Sequence, residues 1–254
     1  MKGTIVTGAN GFIGSSLIKI LINKGVKVLA VDMSFALPRL PESGFITKIE
    51  SGVDATLADK IPVGEYDAFY HLAWRGVNGA EKADPTVQLV NIQMAVDCAN
   101  VCKQMGVKKL LCAGTVAENA TYSLPDLEKT SGGMMYGVAK HACRLIVEDY
   151  CKNIGLPFVW MQFSNIYGIG NKTGNLVSYT LSELMAGKEA TFGPALQPYD
   201  FIYVDDLIEA VYRLGVNDTK KSFYYIGSGN PRILKDYLLR IGELAGFADK
   251  VGIG

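Results

Sequence analysis

Short apolar runs alternate with longer amphipathic stretches through the first two-thirds of the chain. The runs TIVT, VKVLAV, AFYH, KLLCA and FVWMQ are rich in β-branched and aromatic residues and are bounded by glycine, proline or charge. Such runs suit strands buried on both faces of a parallel sheet. They predict strands at 2–7, 26–32, 67–71, 108–113 and 157–162. Apolar positions three and four apart predict helices near 12–24, 85–105 and 133–154. The stretch 38–64 is irregular, with room for one weak strand and a small helix. Strictly alternating strands and helices predict an α/β fold with a doubly wound parallel sheet, the Rossmann arrangement.

Beyond residue 165 the pattern changes. A helix at about 174–187 follows a Gly-Asn-Lys-Thr-Gly loop, a strand is expected in YDFIYV and a helix from Asp205. The strand FYYIG and a helix near 233–245 come last. The expected division is a Rossmann domain over 1–165 and a small C-terminal lobe over 166–254, interleaved with the end of the sheet.

The 254 residues suffice for one large α/β domain or for a domain with an appended lobe. Basic and acidic residues balance at 25 each with no basic block, which argues against nucleic acid or an anionic membrane as partner. The N-terminal apolar run is too soon interrupted by glycine for a signal peptide, and no later run is long enough to span a bilayer. A cytoplasmic protein is expected. The cysteines, Cys98, Cys102, Cys112, Cys143 and Cys151, are odd in number and sit in apolar patterns, as small buried hydrophobes do. They form no CxxC pair, and His71 and His141 make no ligand cluster with them, so no metal site is expected.

Chemistry concentrates first in TGANGFIG. Gly8, Gly11 and Gly14 fall between a strand and a helix, where glycines serve a tight turn, close approach to a pyrophosphate and close helix–strand packing. The helix N-terminus then offers unpaired N–H groups to phosphate. Asp32 ends the second strand eighteen residues beyond Gly14, placed to accept hydrogen bonds from both adenosine ribose hydroxyls. A 2′-phosphate would meet this carboxylate, and Met33-Ser34-Phe35 brings no arginine to neutralise it, so NAD is expected rather than NADP.

A second group lies in GGMMYGVAKHACRLIVEDY, where Tyr136 and Lys140 are four apart and share one helix face. An ammonium beside a phenol would lower the phenol's pKa and suit it to acid–base work on an alcohol–ketone pair. Thr115, at the carboxyl end of the strand through Ala113, can hydrogen-bond the same substrate oxygen.

In these motifs the chain resembles the extended short-chain dehydrogenase/reductases, in the NAD-dependent epimerase/dehydratase branch that includes UDP-glucose 4-epimerase. The resemblance rests on TGANGFIG at 7–14, Asp32, YHLAW at 70–74, Asn91, Thr115, Tyr136 with Lys140, SNIYG at 164–168, Asn175-Leu176 and YDFIYVDD at 199–206. It implies catalytic roles for Thr115, Tyr136 and Lys140, with Tyr136 as acid or base and Lys140 also holding the nicotinamide ribose. It implies cofactor contacts from Gly8, Asn10, Gly11, Phe12, Ile13, Gly14, Asp32, Asp54, Leu72, Ala73 and Asn91, alongside Tyr136 and Lys140. Substrate contacts are implied for Thr115, Asn165, Asn175, Leu176, Phe192 and Tyr199. The implied activity is hydride transfer at a sugar carbon of a nucleotide sugar, as an NAD-dependent epimerase or related oxidoreductase. The alternatives are an NAD(P)H-dependent 4-keto-sugar reductase and a binding or regulatory protein that kept fold and cofactor.

Three departures bear on substrate. Tyr199 and Gln162 stand where the family often has arginine, which weakens the case for a diphosphate ligand. Relatives continue beyond the position of Gly254, so the second lobe is expected to be truncated. Thr115 is followed by Val116-Ala117-Glu118 without the Asp-Glu pair of the 4,6-dehydratases, which disfavours elimination. The helices at 85–105 and 133–154 carry more apolar positions than one sheet face can bury, and in relatives these helices pair across a homodimer.

Overall fold

A computed structural model describes residues 1–171 and 174–254. The chain divides into two compact units, residues 1–163 with 208–226, and residues 164–207 with 227–254.

The first unit is built on a seven-stranded sheet. Its strands are β1 (Gly3–Thr7), β2 (Lys27–Asp32), β3 (Ile46–Glu50), β4 (Ala68–His71), β5 (Leu110–Thr115), β6 (Phe158–Phe163) and, later in the chain, β11 (Phe223–Ile226). They lie in the order β11-β6-β5-β4-β1-β2-β3, and every neighbouring pair is parallel. The chain winds outward from β1 to β3, then returns to the other side of β1 with β4. That reversal opens a crevice at the carboxyl ends of β1 and β4, the place where ligands bind such sheets.

Four helices accompany this sheet: α1 (Phe12–Asn23), α2 (Leu57–Lys60), α3 (Pro85–Met105) and α4 (Met134–Ile154). Local sequence sets the ends of α3. The Asp84 carboxylate accepts the N–H groups of Thr86 and Val87 at 2.8 and 3.3 Å, Pro85 opens the first turn, and Gly106 closes the helix at φ +66°. Its inner face packs Ala95, Cys98, Ala99 and Cys102 against Phe69 and Leu110 of the sheet, with Cys143, Val147 and Cys151 of α4 in the same cluster. All five cysteines are buried and unpaired, as the apolar patterns around them suggested.

Two elements differ from the periodicity. The irregular stretch holds β3, an outer strand with mostly exposed side chains, and the single turn α2. Strand β5 begins two residues later than its apolar run implied, because Lys108 turns to pair with Asp67 at 2.6 Å and the Lys109 ammonium donates to the carbonyls of Leu214 and Asn217. It ends two residues later because Gly114 and Thr115 pair with Gln162 and Phe163 of β6.

The second unit contains β7 (Asn165–Tyr167), β8 (Ala190–Phe192), β9 (Pro198–Tyr199), β10 (Phe201–Tyr203), β12 (Arg232–Ile233) and β13 (Val251–Ile253). They pair two by two, β7 with β10, β8 with β13 and β9 with β12. Helices α5 (Leu176–Met185) and α7 (Leu234–Ala245) belong here, while α6 (Val204–Val216) runs from this unit into the first. The single strand expected in YDFIYV is two strands, interrupted at Asp200, whose carboxylate turns aside to accept the backbone N–H and hydroxyl of Ser228. Phe201, Leu234 and Leu238 form the core, surrounded by Tyr167, Phe192, Tyr199 and Tyr237. No described helix is long and apolar enough to cross a membrane.

Candidate functional site: a dinucleotide cleft and a tyrosine–lysine pair

The crevice beside β1 is a cleft of about 620 Å³ lined in part by Gly8, Gly11, Asp32, Val53, Ala73 and Trp74. Gly8 turns the chain at φ +68°, and a Cβ there would lie 2.7 Å from the Ala73 nitrogen. A Cβ on Gly14 would lie 2.1 Å from the Gly8 carbonyl oxygen, so α1 is seated directly on the turn. No side chain caps the N-terminus of α1 and no acidic residue occupies its first turn. The end is therefore open to an anion, with amide groups facing outward. Asp32 is fixed by two backbone amides, Asn10 N–H on one oxygen and Met33 N–H on the other, both at 2.8 Å. Each oxygen keeps a further lone pair for a ribose hydroxyl. These features fit a dinucleotide: a glycine cradle that side chains would fill, an uncapped helix end and an oriented carboxylate.

Other sequence-derived residues serve this cleft in different ways. Leu72 and Ala73 line it directly, and the Asn10 amide ties the glycine turn to the Ser34 carbonyl at 3.0 Å. Asn91 is fully buried, and its amide clamps the backbone of Arg75 through bonds of 2.7 and 2.8 Å, fixing the loop that forms one wall. Phe12 and Ile13 open α1 and are partly buried. Asp54 is exposed and bonded to Thr56, which holds its carboxyl below the usual range, while Ser51, Gly52 and Val53 before it line the cleft.

At the end of β5, the Thr115 side chain lies beside the Tyr136 phenol, and Tyr136 lies in the first turn of α4. Burial pushes the Tyr136 phenol up to about 12, opposed by the bond from Thr115 and aided by the charge of Glu118. Lys140, one turn further on, is buried, and its ammonium donates to the Ala113 carbonyl at 2.7 Å while standing 3.6 Å from the centre of the Trp74 ring. Burial brings the Lys140 ammonium down to about 8. This corrects one expectation: the helix spacing places both side chains on one face, but burial governs the phenol and raises its pKa. The lysine's nearest partners are a carbonyl and an indole face.

Residues in the second unit have local partners. The Asn165 amide donates to the Asp200 carbonyl at 3.1 Å, and Asn175 caps α5 through Ser178 N–H while donating to the Ile166 carbonyl at 2.9 Å. Leu176, Phe192 and Tyr199 pack around the aromatic core, and burial raises the Tyr199 phenol.

The sequence reading passed over Trp74 and Glu118. Trp74 lies perpendicular to Tyr136, with ring centres 6.1 Å apart, and its Nε1 donates to the buried Gln88 at 2.9 Å. It stands in the YHLAW motif, but nothing local announces that its ring covers a lysine 66 residues away. Glu118 forms a capping box with Thr115, and the Thr-x-x-Glu spacing was a readable signal for it.

The strand order with its switch point, the glycine cradle and the Thr115–Tyr136–Lys140 cluster define a Rossmann-type dinucleotide enzyme. The chain belongs to the NAD dependent epimerase/dehydratase family, which it matches over residues 4–227, and its cofactor is NAD. It is 26% identical over 245 residues to dTDP-6-deoxy-L-talose 4-dehydrogenase (NAD(+)) from Aggregatibacter actinomycetemcomitans, covering 91% of this chain and 86% of that protein. It is 25% identical over 264 residues to UDP-glucose 4-epimerase from Mycolicibacterium smegmatis, covering 97% and 84%. Among solved structures, UDP-glucose 4-epimerase from Thermotoga maritima with UDP-glucose superposes at a TM-score of 0.82, with 21% identity over 99% of this chain and 85% of that one. UDP-N-acetylglucosamine 4-epimerase from Bacillus cereus gives 0.81 at 22% identity, covering 100% and 85%. These two likenesses establish the fold.

Proposed function

We propose that the protein is an NAD-dependent nucleotide-sugar epimerase or a related sugar oxidoreductase acting at C4 of the hexose. The observation that carries this reading is the Thr115–Tyr136 hydroxyl pair beside the buried Lys140, at the carboxyl end of β5. Tyr136 moves the proton of the reacting hydroxyl, and Thr115 holds the same oxygen by a second hydrogen bond. Lys140 carries a positive charge near neutral pH, where it lowers the cost of a phenolate and binds the ribose next to the nicotinamide. NAD, when bound, supplies the hydride acceptor and donor. Asp32 orients the adenosine ribose, and the open end of α1 receives the pyrophosphate. Asn165, Asn175, Leu176, Phe192 and Tyr199 are assigned to the sugar nucleotide, on the motifs that the chain shares with the family. A cytoplasmic homodimer is part of this reading, supported by five unpaired cysteines and by the apolar residues that α3 and α4 leave exposed.

A specific observation favours a second reading, the 4-keto-sugar reductase. A phenol held protonated, as Tyr136 is in the cofactor-free protein, is ready to give a proton to a ketone oxygen. Incubation with a panel of UDP- and dTDP-hexoses and their 4-keto forms separates the readings. Inversion at C4 with no net change in NADH supports the epimerase, and stoichiometric NADH loss on a 4-keto sugar supports the reductase. NAD binding with no turnover on any member of the panel would remove both and leave a binding protein.

A further inference from the structure

Glu118 is 1% exposed, a burial that carboxylates rarely tolerate without partners. One carboxylate oxygen accepts the Thr115 backbone N–H at 2.7 Å, and the Trp160 indole N–H lies 3.1 Å from both oxygens. Its nearest cation is Arg144, whose Nε stands 4.0 Å away and makes no hydrogen bond of its own. The carboxylate is therefore well supplied with neutral donors but only loosely paired with a positive charge. Two glycines press it against the reacting groups. A Cβ on Gly114 would fall 2.7 Å from a Glu118 oxygen and 2.2 Å from the Trp160 nitrogen. A Cβ on Gly137, between Tyr136 and Lys140, would fall 2.4 Å from the carbonyl of Ala117. The turn that carries Glu118 thus sits under the strand end on one side and against the first turn of α4 on the other.

We propose that Glu118 is a positioning residue, which holds Thr115 by its backbone and sets a buried carboxylate behind the first turn of α4 that carries Tyr136 and Lys140. The proposal rests on the functional reading above for its purpose, though not for its electrostatics. The ionisable groups that act on this cluster are Tyr136, Lys140, Cys143 and Arg144 of α4, Cys112 of β5, His71 of β4, and Lys82, whose ammonium stands 5.4 Å from the Tyr136 ring centre. The β6 partners, Trp160 and Gln162, are neutral. Charge in a site of low dielectric acts over such distances more strongly than in water. The same carboxylate raises the pKa of Tyr136 and of Lys140. A cap that served only the backbone would need its oxygen but not its charge.

Glu118→Gln separates the two, because the amide oxygen still accepts the Thr115 N–H while the charge is gone. The readout is the titration midpoint of Lys140 in NAD-free protein carrying 13Cε-lysine, with its resonance assigned by its loss in Lys140→Met. The midpoint should drop by about one pH unit in Glu118→Gln. An unmoved midpoint in Glu118→Gln would overturn the proposal. Should Glu118→Gln not fold, Glu118→Asp decides: the shorter side chain draws the same carboxylate away from Thr115 and α4, so a lowered midpoint supports the proposal and an unmoved one overturns it. No turnover enters this measurement, so failure of the functional reading would show separately, as inactivity of the wild type towards nucleotide sugars.

Discussion

Lys140 stands over the indole face of Trp74, 3.6 Å from ring centre to Nζ, and the same indole packs perpendicular to the Tyr136 ring at 6.1 Å between centres. One aromatic side chain therefore touches both members of the acid–base pair. Its face stabilises the charged form of the lysine by a cation–π interaction of about 1 kcal/mol or more at a desolvated site. Lys140 titrates at about 8, so this contribution is present at pH 7 and largely gone at pH 10, where only packing remains. Trp74→Leu should accordingly destabilise the protein by about 1 kcal/mol more at pH 7 than at pH 10. Guanidinium unfolding at the two pH values measures the difference, and equal losses would count against the charge–ring contact.

Replacing Tyr136 by Phe keeps the ring against Trp74 but removes the proton donor. On a substrate that the wild type converts, turnover should fall by about 10² or more while NAD binding is kept. Thr115→Ser should be tolerated, because the hydroxyl beside Tyr136 survives. Thr115→Val should lose most activity at nearly the same shape. Steady-state kinetics together with NAD calorimetry test the set, and full turnover in Tyr136→Phe would remove the proton relay.

Asp32 should make NAD the preferred cofactor by at least about tenfold over NADP, since a 2′-phosphate would face a carboxylate held in place by two amides. Asp32→Ala should narrow that ratio. Calorimetric dissociation constants for both cofactors decide it, and NADP binding as tight as NAD would reject the assignment.

His71 is buried with its Nδ1 2.9 Å from the Thr7 hydroxyl and 3.3 Å from the Cys98 sulfur, and its Nε2 has no protein partner. Burial, with help from the charge of Lys140, pushes its pKa down to about 3 from 6.5. The folded protein then resists protonation while the unfolded chain takes up a proton, so stability falls as pH drops from about 6.5 towards 3. The full contribution is on the order of 4 kcal/mol. His71→Asn, which can keep a hydrogen bond to Thr7 and does not titrate, should flatten this acid limb. Thermal unfolding followed across that pH range would show it, and an unchanged slope would exclude His71 as its source.

Leu89 on α3 and Leu145 and Ile146 on α4 remain about half exposed or more, although both helices bury their opposite faces on the sheet. A pairing of these helices between two copies would cover them. Light scattering at micromolar concentration should report a dimer, and Leu145→Asp should shift it towards monomer. A wild-type monomer would refute the pairing.

What could be read from the sequence was what is local. The β1–α1–β2 unit was legible because its glycines, apolar runs and Asp32 lie within thirty residues and each imposes a backbone task. The range 85–105 expected from apolar spacing coincides with α3, Pro85–Met105. What escaped was decided by groups distant in sequence. The spacing of Tyr136 and Lys140 put them on one face, but the Ala113 carbonyl and the Trp74 ring, from two other elements, decide where the ammonium points. The late start of β5 depends on Asp67 and on the carbonyls of Leu214 and Asn217 drawing Lys108 and Lys109 away. Glu118 advertised a cap, and only the pairing of β5 with β6 reveals that Trp160 buries it.

The place of β11 in the sheet has a consequence for biosynthesis. Strand β6 is buried along its whole length, yet one of its edges is covered by a strand that begins at Phe223, sixty residues after β6 ends. On the ribosome, six strands are available for pairing before the seventh exists, and at about 5–20 residues per second that interval lasts roughly 3 to 12 s. For that time the nascent chain presents an unpaired, aromatic-rich strand edge, the kind that joins neighbouring chains. Dense polysomes, or slow codons between 164 and 222, would lengthen the exposure, so yield in a foreign host depends on translation pace and chaperone supply before it depends on the stability of the finished fold.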